Sequence, residues 1–122
     1  MTGYKLLDSS IWVDYFVNGK HKDIIEIEEK LLLATISIIE IKNKLHKLKI
    51  SLKDIKEKME FIKKQSIFVV LDENIAEKAS ELVISKHIPI ADAIIYISAL
   101  ENDSELITLD NDFRGLDKVK VL

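Results

Sequence analysis

Two rhythms of apolar and polar positions alternate along the chain. Short solid apolar runs occur at Tyr4–Asp8, Leu31–Thr35, Ile67–Leu71, Leu106–Leu109 and Val119–Leu122. Runs of this length, bounded by polar residues, predict strands buried on both faces. Between them apolar residues recur at three- and four-residue intervals, the period of a helix with one buried side. Trp12, Tyr15 and Phe16 share one such face until Asn18-Gly19 supplies a stop. Residues 23–30 mix isoleucine with glutamate and predict a further half-exposed helix. Ser37-x-x-Glu40 reads as a capping box opening a helix to about Lys49, and Ser51-x-x-Asp54 opens another to about Lys64. Asp72 caps a helix carrying Ile75, Ala79, Leu82 and Val83. Pro89 permits a new start, after which 90–100 is apolar on nearly every side.

Strands alternating with helices predict a parallel sheet covered on both faces, because parallel neighbours need crossover connections. Composition narrows the picture further. At 122 residues, with 48% hydrophobic and 32% charged residues, the chain suits one packed domain over residues 1–122. Three glycines and one proline are too few for a many-turned all-β chain. The absence of cysteine excludes disulfide scaffolds, thiolate zinc sites and cysteine nucleophiles, and favours a reducing setting. No apolar run approaches the ~20 residues that span a bilayer, and the amino end reaches Asp8 too early for a signal peptide. The expectation is a cytoplasmic protein without a membrane partner. A net charge of -3 means that any contact with nucleic acid must be local or metal-mediated.

Candidate chemistry lies where an open parallel sheet gathers it, beyond the strand carboxyl ends at the point where strand order reverses. Asp8 and Asp110 follow the first and fourth strands, and the helices beginning near Ser37 and Pro89 bring Glu40 and Asp92 to the same edge if those strands are neighbours. Asp92 sits in an apolar stretch with no Lys or Arg within three residues, so its charge needs a partner from elsewhere in the fold, a helix N-terminus or a bound cation. Each acid also has a purely structural role open to it. Asp8 suits a helix cap, Glu40 the capping box or a pair with Lys44, Asp92 the first helical turn, and Asp110 an Asx-turn with Asp112. Grouped acids repel, however, and a divalent ion relieves that repulsion. Mg²⁺ and Mn²⁺ take oxygen ligands and leave positions for water and phosphate, the makings of phosphodiester hydrolysis.

Leu6-Leu7-Asp8-Ser9-Ser10, Ile39-Glu40, Ile90-Ala91-Asp92-Ala93 and Thr108-Leu109-Asp110-Asn111-Asp112-Phe113 resemble, in order, the signature blocks of PIN-domain ribonucleases. The likeness spans essentially the whole chain and is greatest to the VapC toxins of prokaryotic toxin–antitoxin pairs. It implies an α/β/α sandwich with a central parallel sheet of about five strands in the order 3-2-1-4-5. It also implies a homodimer, Mg²⁺- or Mn²⁺-dependent endonucleolytic cleavage of RNA, and inhibition by a cognate antitoxin. By the same resemblance Asp8, Glu40, Asp92 and Asp110 are catalytic metal ligands, Asp112 is an auxiliary ligand, and Ser10 and Thr108 orient an acid or water. Two positions depart from the family pattern: Asn102-Asp103 stand where glycine is often found, and Asn111 where many relatives carry a basic residue.

Nine lysines lie between Lys42 and Lys64 against Asp54, Glu57 and Glu60, a local basic excess suited either to RNA phosphates, Lys44 and Lys47 foremost, or to a solvated helical face. Arg114, the sole arginine, either contacts substrate or balances Asp110 and Asp112. The Trp12, Tyr15 and Phe16 face predicts core or dimer interface, and His21, His46 and His87 read as surface groups without ligand-like pairing. A receiver-type signalling domain is the competing enzyme-like reading, with Asp72 as its phosphoacceptor; a catalytically silent binding module of the same fold is another.

Overall fold

The computed structural model describes residues 3–122. A parallel five-stranded sheet runs through it in the order β3-β2-β1-β4-β5. The strands are β1 (Lys5–Leu7), β2 (Leu31–Ala34), β3 (Ser66–Val69), β4 (Glu105–Thr108) and β5 (Val119–Val121). Helices α1 (Ser9–Asn18), α2 (Lys22–Ile25), α3 (Ile36–Lys47), α4 (Leu52–Gln65), α5 (Glu73–Lys86) and α6 (Ile90–Glu101) connect them, and a short 3₁₀ turn spans Asn111–Phe113.

The solid apolar runs are explained by burial on both sides of the sheet. Leu6, Leu32 and Leu106 point into a core shared with Ala79, Ile95 and Ala99 of α5 and α6. Their neighbours Leu7, Leu31, Leu33 and Ile107 point the other way, against Ile11, Ile41, Leu45 and Ile62 of α1, α3 and α4. Because successive strand side chains alternate between faces, a strand buried on both has no position left for a polar residue. The result is the expected α/β/α sandwich.

Local signals act where they were read, with informative exceptions. Gly19 ends α1 in the left-handed region at φ 68, its N–H bonded to the Tyr15 carbonyl at 3.0 Å. Ser51 accepts from the Asp54 N–H at 3.1 Å, and Asp72 from the Ile75 N–H at 2.8 Å. The helix expected over 23–30 stops at Ile25. The Gln65 amide donates to the carbonyls of Ile25 and Ile27, at 2.5 and 2.8 Å, and so claims acceptors that a continuing helix would use. The capping box at Ser37 does not form. Helix α3 starts earlier, from Thr35, leaving Ser37 inside the first turn with a fully buried, unpartnered hydroxyl. Strand β3 covers Ser66–Val69 rather than 67–71, and Val70 and Leu71 are exposed.

Trp12, Tyr15 and Phe16 pack with Phe61 of α4 in an aromatic cluster that includes a stacked Tyr15–Phe61 pair with centroids 5.9 Å apart. Trp12 is wholly buried, so this face is core. No helix among the described residues is long and apolar enough to cross a membrane.

Candidate metal centre

Strands β1 and β4 are parallel neighbours in register from Lys5↔Glu105 to Leu7↔Ile107. Asp8 and Thr108 therefore emerge side by side at the carboxyl edge, where the connection leaving β1 runs toward β2 and the one leaving β4 runs the other way toward β5. Here the backbone can no longer supply every partner, and side chains complete the bonding.

Asp8 is nearly fully buried, yet none of its carboxylate oxygens caps α1. Its Oδ2 accepts from the Ser10 hydroxyl at 2.8 Å and from the Thr108 hydroxyl at 2.8 Å. Each hydroxyl accepts in turn: Ser10 Oγ from the Leu109 N–H at 3.1 Å, Thr108 Oγ1 from the Asp110 N–H at 3.0 Å. Both hydroxyl protons are thereby aimed at the acid, which fixes its orientation and satisfies a buried charge. Ser9 Oγ lies 3.5 Å from Asp8 Oδ1 and also favours the ionised form of Glu40 by hydrogen bonding. The sequence pattern assigns Ser9 no role of its own; its adjacency to Ser10 in the first signature block is the signal for it.

Asp110 forms the anticipated Asx-turn, its Oδ1 accepting from the Asp112 N–H at 2.9 Å. The turn does not exhaust it. One carboxylate oxygen from each of Asp92, Asp110 and Asp112 lies within 4.8 Å of the others. Asp112, expected only as an auxiliary, belongs to this tight group, whereas Asp8 and Glu40 fall outside it. Glu40 makes no capping bond to Ser37, and its Oε1 is buried without a partner. Asp92 occupies the first turn of α6 and is half-buried rather than enclosed.

Electrostatics joins the five acids. Burial pushes the Asp92 pKa up to about 7, and the charges of Asp110, Asp8, Glu40 and Asp112 add to the effect. Burial likewise raises Glu40, reinforced by Asp8 and Asp110 and opposed by Ser9. No lysine or arginine forms an ion pair with any of these acids among the described residues. Arg114 does not balance them: its Nε and Nη2 donate to Asn111 Oδ1 at 3.2 and 2.8 Å. Asn111 thus occupies the arginine fork directly.

A groove of about 640 Å³ leads away from Glu40, Ser9 and Ser10 between α1 and α3, flanked by Asn43, Lys44 and Lys47. Of the histidines, His46 and His87 are exposed, but His21 is half-buried and pairs with Asp14 at 2.6 Å, which corrects its reading as a surface group. Asp72 caps α5 through its side chain, the role expected of a helix-start residue, and is exposed away from the acids.

The 3-2-1-4-5 parallel sheet with acids at the crevice beyond its strand carboxyl ends defines an α/β protein whose candidate site lies at the switch in strand order. The family model described as "PIN domain" matches residues 5–119, and the chain belongs to the PIN-domain family. The chain is similar in structure to a toxin–antitoxin complex from Klebsiella pneumoniae, with TM-score 0.78, 20% identity and 96% coverage of both chains. It is also similar to VapBC2 from Rickettsia felis, solved bound to a fragment of promoter DNA (TM-score 0.74, 14% identity, 98% of both chains). A further likeness is to VapC20 from Mycobacterium tuberculosis, described as a toxin cleaving the sarcin–ricin loop (TM-score 0.73, 11% identity, 93% of this chain and 95% of that one). No curated protein sequence matches the chain.

The fold also accounts for one departure from the family pattern. Asp103 adopts φ 53, the left-handed turn that glycine otherwise supplies, and its carboxylate bonds Lys118 at 2.9 Å.

Proposed function

We propose that this chain is a divalent-metal-dependent endoribonuclease and the toxin of a VapBC-type toxin–antitoxin pair. The observation that carries the reading is the convergence of Asp8, Glu40, Asp92, Asp110 and Asp112 at one sheet edge with no lysine or arginine ion-paired to them among the described residues. A structural role leaves that repulsion without a purpose, since each acid alone has a cheaper partner in water.

The donor set fits Mg²⁺ or Mn²⁺, both of which accept carboxylate oxygens and retain water. Asp92, Asp110 and Asp112 offer oxygens close enough to share one ion, and the unpartnered Oε1 of Glu40 is a buried acceptor awaiting a positive charge. Asp8, Glu40, Asp92 and Asp110 are the proposed catalytic ligands, with Asp112 beside them. When bound, the ion supplies Lewis acidity to phosphate and a lowered pKa for attacking water. Ser10 and Thr108 hold Asp8 in a fixed orientation, so that no reorganisation accompanies the reaction. Burial and the neighbouring acids raise the pKa of both Asp92 and Glu40, so a cation held by these residues would favour their ionised forms. Lys44 and Lys47 line the groove leaving Glu40 and are placed to hold substrate phosphates, while Arg114, exposed beside Asn111, is the remaining candidate for substrate contact. Hydrolysis leaves a 5′-phosphate and a 3′-hydroxyl.

The antitoxin partner is carried over from the K. pneumoniae and R. felis assemblies. A homodimer and a cytoplasmic setting belong to the same proposal; the exposed Ile84 and Ile90 beside an apolar hollow of about 280 Å³ between α5 and α6 support self-association there. The test is cleavage of labelled RNA with Mn²⁺. Cleavage abolished by chelator and by Asp92→Asn is expected; cleavage indifferent to both rejects the mechanism, and phosphoryl labelling at Asp72 would favour the receiver reading.

A further inference from the structure

Lysines in this protein are treated differently in different places. Lys78 pairs with Glu101 at 2.8 Å and Lys118 with Asp103 at 2.9 Å. Among the described residues none of the nine lysines between 42 and 64 forms an ion pair, although Asp54, Glu57 and Glu60 stand on the same helix as most of them. Lys58 lies over the Phe16 ring, 5.6 Å from its centroid. The others present charge outward without internal compensation.

That charge is organised by a second groove. Helices α3 and α4 enclose a cleft of about 630 Å³, with Lys42 on one wall and Lys56 and Lys63 on the other. Lys56 and Lys63 lie two turns apart on one face of α4, and the buried side chains of Ile55 and Met59 close the cleft floor between the walls. Glu60 is the only acid bordering the cleft. Leu52, which also borders it, is 76% exposed. Asn43 borders both this cleft and the groove that starts at Glu40. Asn43 is therefore the shared rim of two neighbouring recesses, with Lys44 and Lys47 lining the one that starts at Glu40 and Lys42, Lys56 and Lys63 lining the other.

From this adjacency and the unpaired lysines we infer that the α3–α4 cleft is a secondary binding site for the flank of a single-stranded RNA whose scissile phosphate lies at the acids. The inference rests on the nuclease reading and extends it to the substrate's form. Phosphates meet Lys42, Lys56 and Lys63, and an unstacked base rests on the exposed Leu52 side chain. A duplex offers phosphates but keeps its base faces stacked inside, so it would leave the exposed Leu52 at the cleft rim without a base against it.

The test is binding, measured in EDTA so that cleavage does not enter. Fluorescein-labelled single-stranded RNA is titrated against the wild type, against the triple variant Lys42→Gln, Lys56→Gln, Lys63→Gln, and against a charge-matched control carrying Lys5→Gln, Lys86→Gln and Lys120→Gln. Each phosphate contact on a single strand contributes about 0.7 to the slope of log affinity against log salt, so the cleft variant should lose about 2 from that slope. The control should lose much less. An unchanged slope, or an equal loss in the control, overturns the cleft as an RNA site. Equal slope loss with a duplex of the same sequence overturns the single-strand assignment, and binding of polyglutamate as tight as that of RNA points instead to an acidic protein partner. A wild type that cleaves RNA with Mn²⁺ but shows no slope difference keeps the nuclease reading and loses the cleft. A chain that shows the slope difference and never cleaves does the reverse.

Discussion

Asp92→Asn separates a ligand from a structural acid by moving stability in an unusual direction. The Asp92 pKa rises from 3.8 to about 7 in the folded chain, chiefly through burial and then through Asp110 and its neighbours. An acid with a raised folded pKa keeps its proton in the folded state while the unfolded chain has lost it. Stability is therefore present below the unfolded value and declines as pH climbs from about 4 through 7. At about 1.4 kcal/mol per unit the shift corresponds to roughly 4 kcal/mol at face value, and solvent screening of a half-exposed group reduces this to about 2 kcal/mol. Asparagine keeps the shape and never ionises. Without metal, the variant should match the wild type near pH 4 and exceed it by about 2 kcal/mol at pH 8, a rise in Tm on the order of 8 °C. Mn²⁺ should reverse the ranking. An ion at a hundred times its Kd stabilises the wild type by about 2.7 kcal/mol, and the variant should lose most of that gain. Thermal unfolding at both pH values, with EDTA or Mn²⁺, reads all of these quantities. A variant less stable than wild type at pH 8 in EDTA, or one that gains as much from Mn²⁺, would falsify the reasoning.

Further substitutions probe the parts around it. Thr108→Val removes one charge-assisted bond to the buried Asp8 and should cost about 1.5–3 kcal/mol in urea unfolding, with a loss of cleavage; an unaltered variant would show that the hydroxyl does not orient the acid. Phe61→Ala removes a half-buried ring from the aromatic cluster and should cost about 1–3 kcal/mol, while leaving any Mn²⁺-induced stabilisation nearly intact because the cluster lies away from the acids. Arg114→Gln should change stability by no more than about 0.5 kcal/mol and leave Mn²⁺ affinity unaltered, since Arg114 bonds Asn111 and neither Asp110 nor Asp112; tighter Mn²⁺ binding in calorimetry would restore the charge-balancing role. Ile90→Glu should shift light-scattering mass toward the monomer if α5 and α6 form the homodimer face, and an unchanged mass places that contact elsewhere.

The amino-acid pattern alone determined the layers of this protein. Runs such as Leu31–Ala34 leave no polar position, and a strand without one must be covered on both sides; the helices over 52–65 and 90–101 followed from periodicity and caps for equally local reasons. The acids were legible as residue types, Asp8 and Asp110 just beyond strands and Glu40 and Asp92 near helix starts. What the sequence left open was decided by contacts between distant segments. Gln65 reaches forty residues back to Ile25 and stops a helix whose own pattern continues. Ser37, locally a capping residue, is drawn into the first turn of α3 and loses that role, while the Glu40 side chain remains at the acid cluster. Ser10 and Thr108 meet on Asp8 only because β1 and β4 lie side by side across a hundred residues of chain. Hydrophobic period is a property of neighbours along the backbone, so it can be read before folding. Which carboxylates share a charge field, and which hydroxyl turns its proton toward them, depends on distances that exist only after the sheet has formed.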